Sequence, residues 1–255
     1  MVLAPERFAS WLSAHVHTDA LGYRYHYHPR SDAHSIALCG FLWEDFLGAC
    51  PVLRSQAESG AVICGINVKF TWATSGKTKT LDLAIGPPLE APAQPGLTPV
   101  IKAQLADVLL SCEAKSVMTE HGKSQPRVFD ELSSSHEIVH HGRQKALATG
   151  ITVVNISGTF ISPLRQKVRR KPYVSAHRQP EAAGAMVEHL RGLPIRETVG
   201  QVGFDAYATV VLSCSNRADE PVILWTDPPA PQPGDTDHYE TFLVRVSRFY
   251  SQLFG

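Results

Sequence analysis

The five cysteines of this chain give no sign of pairing. Cys39, Cys50, Cys64, Cys112 and Cys214 are odd in number and widely scattered, and they lie mostly in apolar runs with no CxxC spacing. That pattern excludes a disulfide scaffold and reads as reduced core thiols of a cytosolic protein. An excess of charge is missing too. Lys plus Arg equals Asp plus Glu at 24 each, so net charge points to no polyanionic partner. No apolar stretch is long enough to span a bilayer, and Met1 to Trp11 lacks the basic-then-apolar layout of a secretory signal. A soluble, cytoplasmic protein is the expectation. With 255 residues and 44% hydrophobic content, the chain can bury a sizeable core.

One absence is local. No acidic residue occurs from Ile138 to Pro180, whereas Arg143, Lys145, Arg165, Lys167, Arg169, Arg170, Lys171 and Arg178 are all basic. Such a segment is either a solvated loop or a set of phosphate contacts, with Arg165, Lys167, Arg169, Arg170 and Lys171 as the nucleic-acid-binding candidates. Phosphate contacts carry no base code.

Apolar periodicity places the elements. Phe8 to Val16 has helical spacing. His15 to His34 is crowded with histidine and tyrosine, and the alternation in Tyr23–His28 predicts a polar surface strand or arm rather than a metal site. Ser31 and Asp32 can cap a helix over Ser35 to Leu47. Ala61 to Ala73 and Leu81 to Gly86 predict a hairpin, with Asp82 on its second arm. Gly76-Lys77-Thr78 lacks the upstream glycine and following helix of a phosphate-binding loop, which excludes that motif. After a Pro-rich excursion from Pro87 to Pro99 comes a short strand through Val108-Leu109-Leu110. His121 to Pro126 is expected as a polar loop, Arg127 to His141 as a helix and Ile151 to Ile156 as a central strand. Downstream, helices are expected over Ala182 to Arg191 and His238 to Phe254, with strands over Tyr207 to Cys214 and Val222 to Trp225.

Chemistry concentrates in two motifs. Glu113 and Lys115 are two apart at the end of a strand and share a face. Asp82 sits in a strand-like run, where a charge needs a partner. Neighbouring strands would bring the three together. The plainer alternatives are Asp82 as a hairpin residue near Lys79, and Glu113 with Lys115 as an ion pair. On the preceding helix, Glu44 lies at the edge of the apolar stripe, facing solvent or turned toward a metal. The second motif, His136-Glu137-Ile138-Val139-His140, matches HExxH, whose histidines lie one helical turn apart and can bind zinc while the glutamate activates water. Glu188 is its available third ligand.

From Ser35 to Ile156 the order is helix, strand, strand, strand, helix, strand, with Asp82 on the second strand and Glu113-Ala114-Lys115 on the third. In this the chain resembles the PD-(D/E)xK nuclease superfamily, with Leu81 standing where the signature has proline. The resemblance implies an α/β fold with a restriction-endonuclease-like core at about 31–160, an arm over 1–30 and an extension over 161–255. It further implies a Mg²⁺-dependent endonuclease of bacterial restriction or phage defence, with Mn²⁺ as a substitute metal. Asp82, Glu113, Glu44 and the Ala114 carbonyl would hold the metal, and Lys115 would polarise the attacking water. His136 and His140 would line the cleft. The substrate would be DNA, and cutting both strands calls for a homodimer or larger assembly. The competing expectations are a zinc metalloprotease built on HExxH and a catalytically silent nucleic-acid-binding module on the same fold.

Overall fold

The structure, a computed structural model, describes residues 2–90, 95–166 and 172–255, without the side chains of Arg165 and Gln166. Helix α1 (Ala4–Ala14) leads into the short pair β1 (His17–Thr18) and β2 (Arg24–Tyr25), followed by α2 (Ala33–Ala49) and α3 (Pro51–Glu58). Strands β3 (Ile63–Thr71) and β4 (Thr78–Gly86) form a hairpin. Next come β5 (Val100–Ile101), β6 (Leu110–Val117), α4 (His121–Gly142) and β7 (Leu147–Asn155). A second hairpin, β8 (Thr159–Gln166) with β9 (Pro172–Ala176), precedes α5 (Glu181–Arg191), β10 (Ala206–Ser213), β11 (Ile223–Trp225) and α6 (Tyr239–Phe254).

The architecture is α/β, with a mixed central sheet flanked by helices. Seven strands lie in the order β11-β10-β7-β6-β4-β3-β5. Strands β6, β7 and β10 are parallel, while β4 runs antiparallel to both β3 and β6. Strand β7 is buried at every position, as a strand covered on both faces must be. One face packs on α1, α2, α3 and α6 through residues such as Leu42, Phe46 and Phe242. The other packs on α4 and α5 through Leu132, Val139 and Met186. Strand β10 pairs with β7, so the carboxy-terminal segment contributes to the same sheet. Among the described residues, no single helix is long and apolar enough to cross a membrane.

Two local expectations are corrected. The segment from His121 to Pro126 is helical, with Pro126 inside α4. A proline there deprives the helix of one early hydrogen bond, but His121 anchors the first turn by bonding the Asn155 carbonyl through Nε2 at 2.7 Å. The histidine- and tyrosine-rich arm is not a polar surface strand either. Tyr25 and His26 are buried, and His26 bridges the carbonyls of His15 and Glu220. Four further rings crowd together: His17 lies 4.7 Å from His15, 5.2 Å from His34 and 6.0 Å from His28 between centroids. Tyr27 ties this arm to β6 by a 2.6 Å bond between its hydroxyl and Ser116 Oγ.

A close approach fixes the tip of the first hairpin. The Trp72 indole packs against Gly142, where an added Cβ would fall 2.0 Å from the ring. Thr74 Oγ1 also donates to the Gly142 carbonyl at 2.8 Å. Only glycine fits there, and the contact docks the hairpin on the end of α4.

Burial and the charges of His34, His15 and His28 lower the His17 pKa to about 4. Burial and the charges of His15 and His28 likewise lower His34. The unfolded chain therefore takes up protons first as pH falls below about 6.5, and the stability these rings contribute declines from there toward pH 4. Wild-type protein should lose more of its Tm between pH 7 and pH 5 than His17→Gln. Equal losses would show that the cluster does not set the acid limb.

Candidate active site

Register decides which side chains meet. Strands β4 and β6 pair through Leu83 with Cys112, so the next facing positions along the two strands are Asp82 and Glu113. There the ladder stops, and the Asp82 carboxylate takes the backbone N–H of Ala114 at Oδ2, 2.8 Å away. On the far side of Asp82, Asn67 interrupts β3 with a φ of 55°, a left-handed conformation that asparagine tolerates better than most residues. Across β6, Glu113 is paired with Gly150 and Lys115 with Thr152 on β7. Glu113 and Lys115 thus project from one face of the sheet beneath α4.

Glu113 is 7% exposed and fully engaged. Lys115 Nζ lies 2.7 Å from its Oε1, and Lys79 Nζ lies 3.0 Å from its Oε2. The Ser135 hydroxyl on α4 donates to Oε2 at 3.0 Å. Lys115 also reaches Glu131 at 3.4 Å, one helical turn before Ser135. Burial alone would raise the Glu113 carboxyl, but the Lys115 and Lys79 ammoniums outweigh it and hold the pKa below the usual carboxylate range. Asp82 goes the other way. Burial, then the charge of Glu113, raises its pKa to about 6 against the Ala114 N–H and the two lysines. Two acids at facing positions of adjacent strands thus shift in opposite directions, one pushed up and one held down.

The expected Mg²⁺ site is corrected. Among the described residues, no three His, Cys, Asp or Glu side chains converge to hold a metal ion. Glu44 is turned to solvent and pairs with Arg7. Ala114 donates its N–H to Asp82, so one carboxylate oxygen of Asp82 is already taken by the backbone. The two oxygens of Glu113 face ammoniums, so Asp82 and Glu113 alone do not make an octahedral cage for Mg²⁺ or Mn²⁺.

HExxH forms no metal centre among the described residues either. His136 is 1% exposed and packs edge-on against Phe204, so it lines no open cleft. His140 Nε2 instead meets Asp205 at 3.2 Å, inside a network where Arg196 grips Asp205 at 2.7 Å. Glu137 is exposed, and Glu188, with 78% of its side chain exposed, faces Arg191. Lys167, Arg169, Arg170 and Lys171, and the side chain of Arg165, lie outside the described residues.

Compared with known protein families, curated proteins and solved structures, the chain matches none. The site therefore has to be read from its own geometry. The sequence motif did not reveal Ser135 or Glu131. Their one signal is i,i+4 spacing on a helix that follows the acidic strand.

Asp82→Asn keeps an acceptor for the Ala114 N–H and removes the buried charge. Because the raised pKa makes the wild type lose stability as pH climbs from about 4 to 6, the variant should gain on it across that window. Denaturant titration should find Asp82→Asn about 1–3 kcal/mol more stable at pH 8 and nearly equal at pH 4. No gain at pH 8 would mean that the carboxyl is not strained by its burial.

Proposed function

We propose that this chain is a nuclease that hydrolyses phosphodiester bonds in DNA, built on a core like that of the PD-(D/E)xK nucleases. The observation that carries the reading is the meeting of Asp82, Glu113 and Lys115 at facing positions of adjacent strands, with Lys115 Nζ 2.7 Å from Glu113. The element order supports it: helix, two strands, the Glu-x-Lys strand, helix and parallel strand, with α3 and short β5 intervening.

Each residue takes a role that follows from its surroundings. Asp82, with a pKa of about 6, is the proton acceptor matched to neutral pH. Its Oδ2 is held by Ala114, and Oδ1 is left for a water. That water attacks phosphorus as Asp82 takes its proton. The bond from phosphorus to the leaving sugar oxygen breaks, and that oxygen takes a proton from solvent. Lys115 stays charged and offsets the negative charge on the phosphoryl oxygens, and Asp82 passes its proton to solvent, balancing the one the leaving oxygen takes up. Glu113 is too firmly ionised to be the base. It is a positioning residue that aims Lys115. Two copies of the chain would supply one such site to each strand of a duplex, consistent with action as a homodimer in restriction or phage defence.

The test is incubation of purified protein with supercoiled plasmid and with single-stranded DNA, run in parallel with chelator and with added divalent salt. Asp82→Asn and Lys115→Met should cut at least about 100-fold more slowly than wild type. The wild-type rate should rise with pH to a plateau above about 6, an apparent value that belongs to the Asp82–Glu113 pair. Intact DNA under every condition, or variants that cut as well as wild type, would leave the cluster as a structural ion-pair clamp.

A further inference from the structure

The sequence introduces Lys79 only as a neighbour of Asp82 in the hairpin, three positions earlier. The structure gives it a more specific place. One carboxylate, that of Glu113, is held between two ammoniums: Lys115 on Oε1 at 2.7 Å and Lys79 on Oε2 at 3.0 Å. The two lysines come from different strands, and both keep access to water, with side chains 17% and 25% exposed. Oε2 has a second partner in Ser135, so Glu113 does not become an orphan if Lys79 moves away.

A phosphodiester presents two non-bridging oxygens that share one negative charge, much as a carboxylate does. Ammoniums placed to grip the two oxygens of a carboxylate are placed to grip those of a phosphodiester. We infer that Lys79 is the second arm of a phosphate clamp. On substrate binding it exchanges Glu113 Oε2 for one non-bridging oxygen of the scissile phosphate, while Lys115 takes the other. The inference rests on the nuclease reading and adds to it the residue that recognises the phosphate. It also accounts for a site with more than one lysine. Asp82, Glu113 and Glu131 already surround Lys115, so a bound phosphate needs a second positive charge beside it.

The experiment compares wild type, Lys79→Gln, Lys79→Arg and Lys77→Gln. Lys77 is an exposed lysine on the same hairpin and reports the general electrostatic field. Binding of a short DNA duplex is followed by fluorescence anisotropy across a salt series, with cleavage kinetics alongside. Lys79→Gln should reduce the salt slope by about one counterion. It should raise KM by roughly tenfold, the size of one lost charge-assisted contact. Lys79→Arg should restore both, and Lys77→Gln should change neither by as much. A Lys79→Gln protein with lowered Tm but unchanged salt slope and KM would overturn the clamp and leave Lys79 a structural partner of Glu113. An equal effect from Lys77→Gln would also overturn it. Wild type that neither binds nor cuts DNA would fail the nuclease reading, and the clamp with it, whereas an unchanged slope in a cutting enzyme fails the clamp alone.

Discussion

A carboxylate beneath a helix, on a sheet covered on both faces, survives as an ion only where the surrounding structure meets it with charge and hydrogen bonds. Glu113 is such a group, and the local fold is arranged around its needs. Two strands deliver ammoniums to its two oxygens, and α4 delivers a hydroxyl. Taking the anion away would leave two lysines facing each other across a partly dry gap. Such buried clusters cost several kcal/mol to break from one side while adding little net stability when intact.

The opposed behaviour of the two acids follows from the same layout. Glu113 has cations at bonding distance, whereas Asp82 has a backbone amide, burial and a like charge next door. Fixed positions along β4 and β6 generate both environments. Farther along the sheet, Arg196 and Asp205 form a second buried pair, with His140 and the Ala148 N–H completing it. That network absorbs half of HExxH into scaffolding. It anchors the approach to β10 on the end of α4, beside which the proposed site is built.

Period-two alternation and β-branched runs made most strands legible, and the i,i+3 and i,i+4 stripes did the same for α1, α2, α5 and α6. Asp82, Glu113 and Lys115 stood out because charged residues in strand patterns demand partners. The failures have physical causes. The first turns of α4 carry glycine, proline and polar residues, and a tertiary bond from His121 overrides that local preference. Histidine in the arm looked solvated because its partners are carbonyls far away in the chain, invisible to any local pattern. The metal expectation rested on Asp82 and Glu113, with the Ala114 carbonyl and Glu44 as further ligands; lysines from two strands take both oxygens of Glu113, and Arg7 on α1 holds Glu44 toward solvent. Lys79 and Ser135 join the site through register and helix docking, which no short motif encodes.

The interrupted ladder around Asp82 has a mechanical side. Pairing of β4 with β6 is confined to Leu83 through Ile85, and β3 is broken at Asn67, so the outer part of the hairpin is laced to itself but not sideways to β6. Its root is held by the sheet, and its tip rests on Gly142 through Trp72. Lys79 lies between these two points of support, in a stretch of β4 that forms no rung with β6. Glu113 and Lys115 sit on the rigid body beneath. The distance between Lys79 and Glu113 is therefore set by how the hairpin tip docks on α4, and not by any rung between β4 and β6.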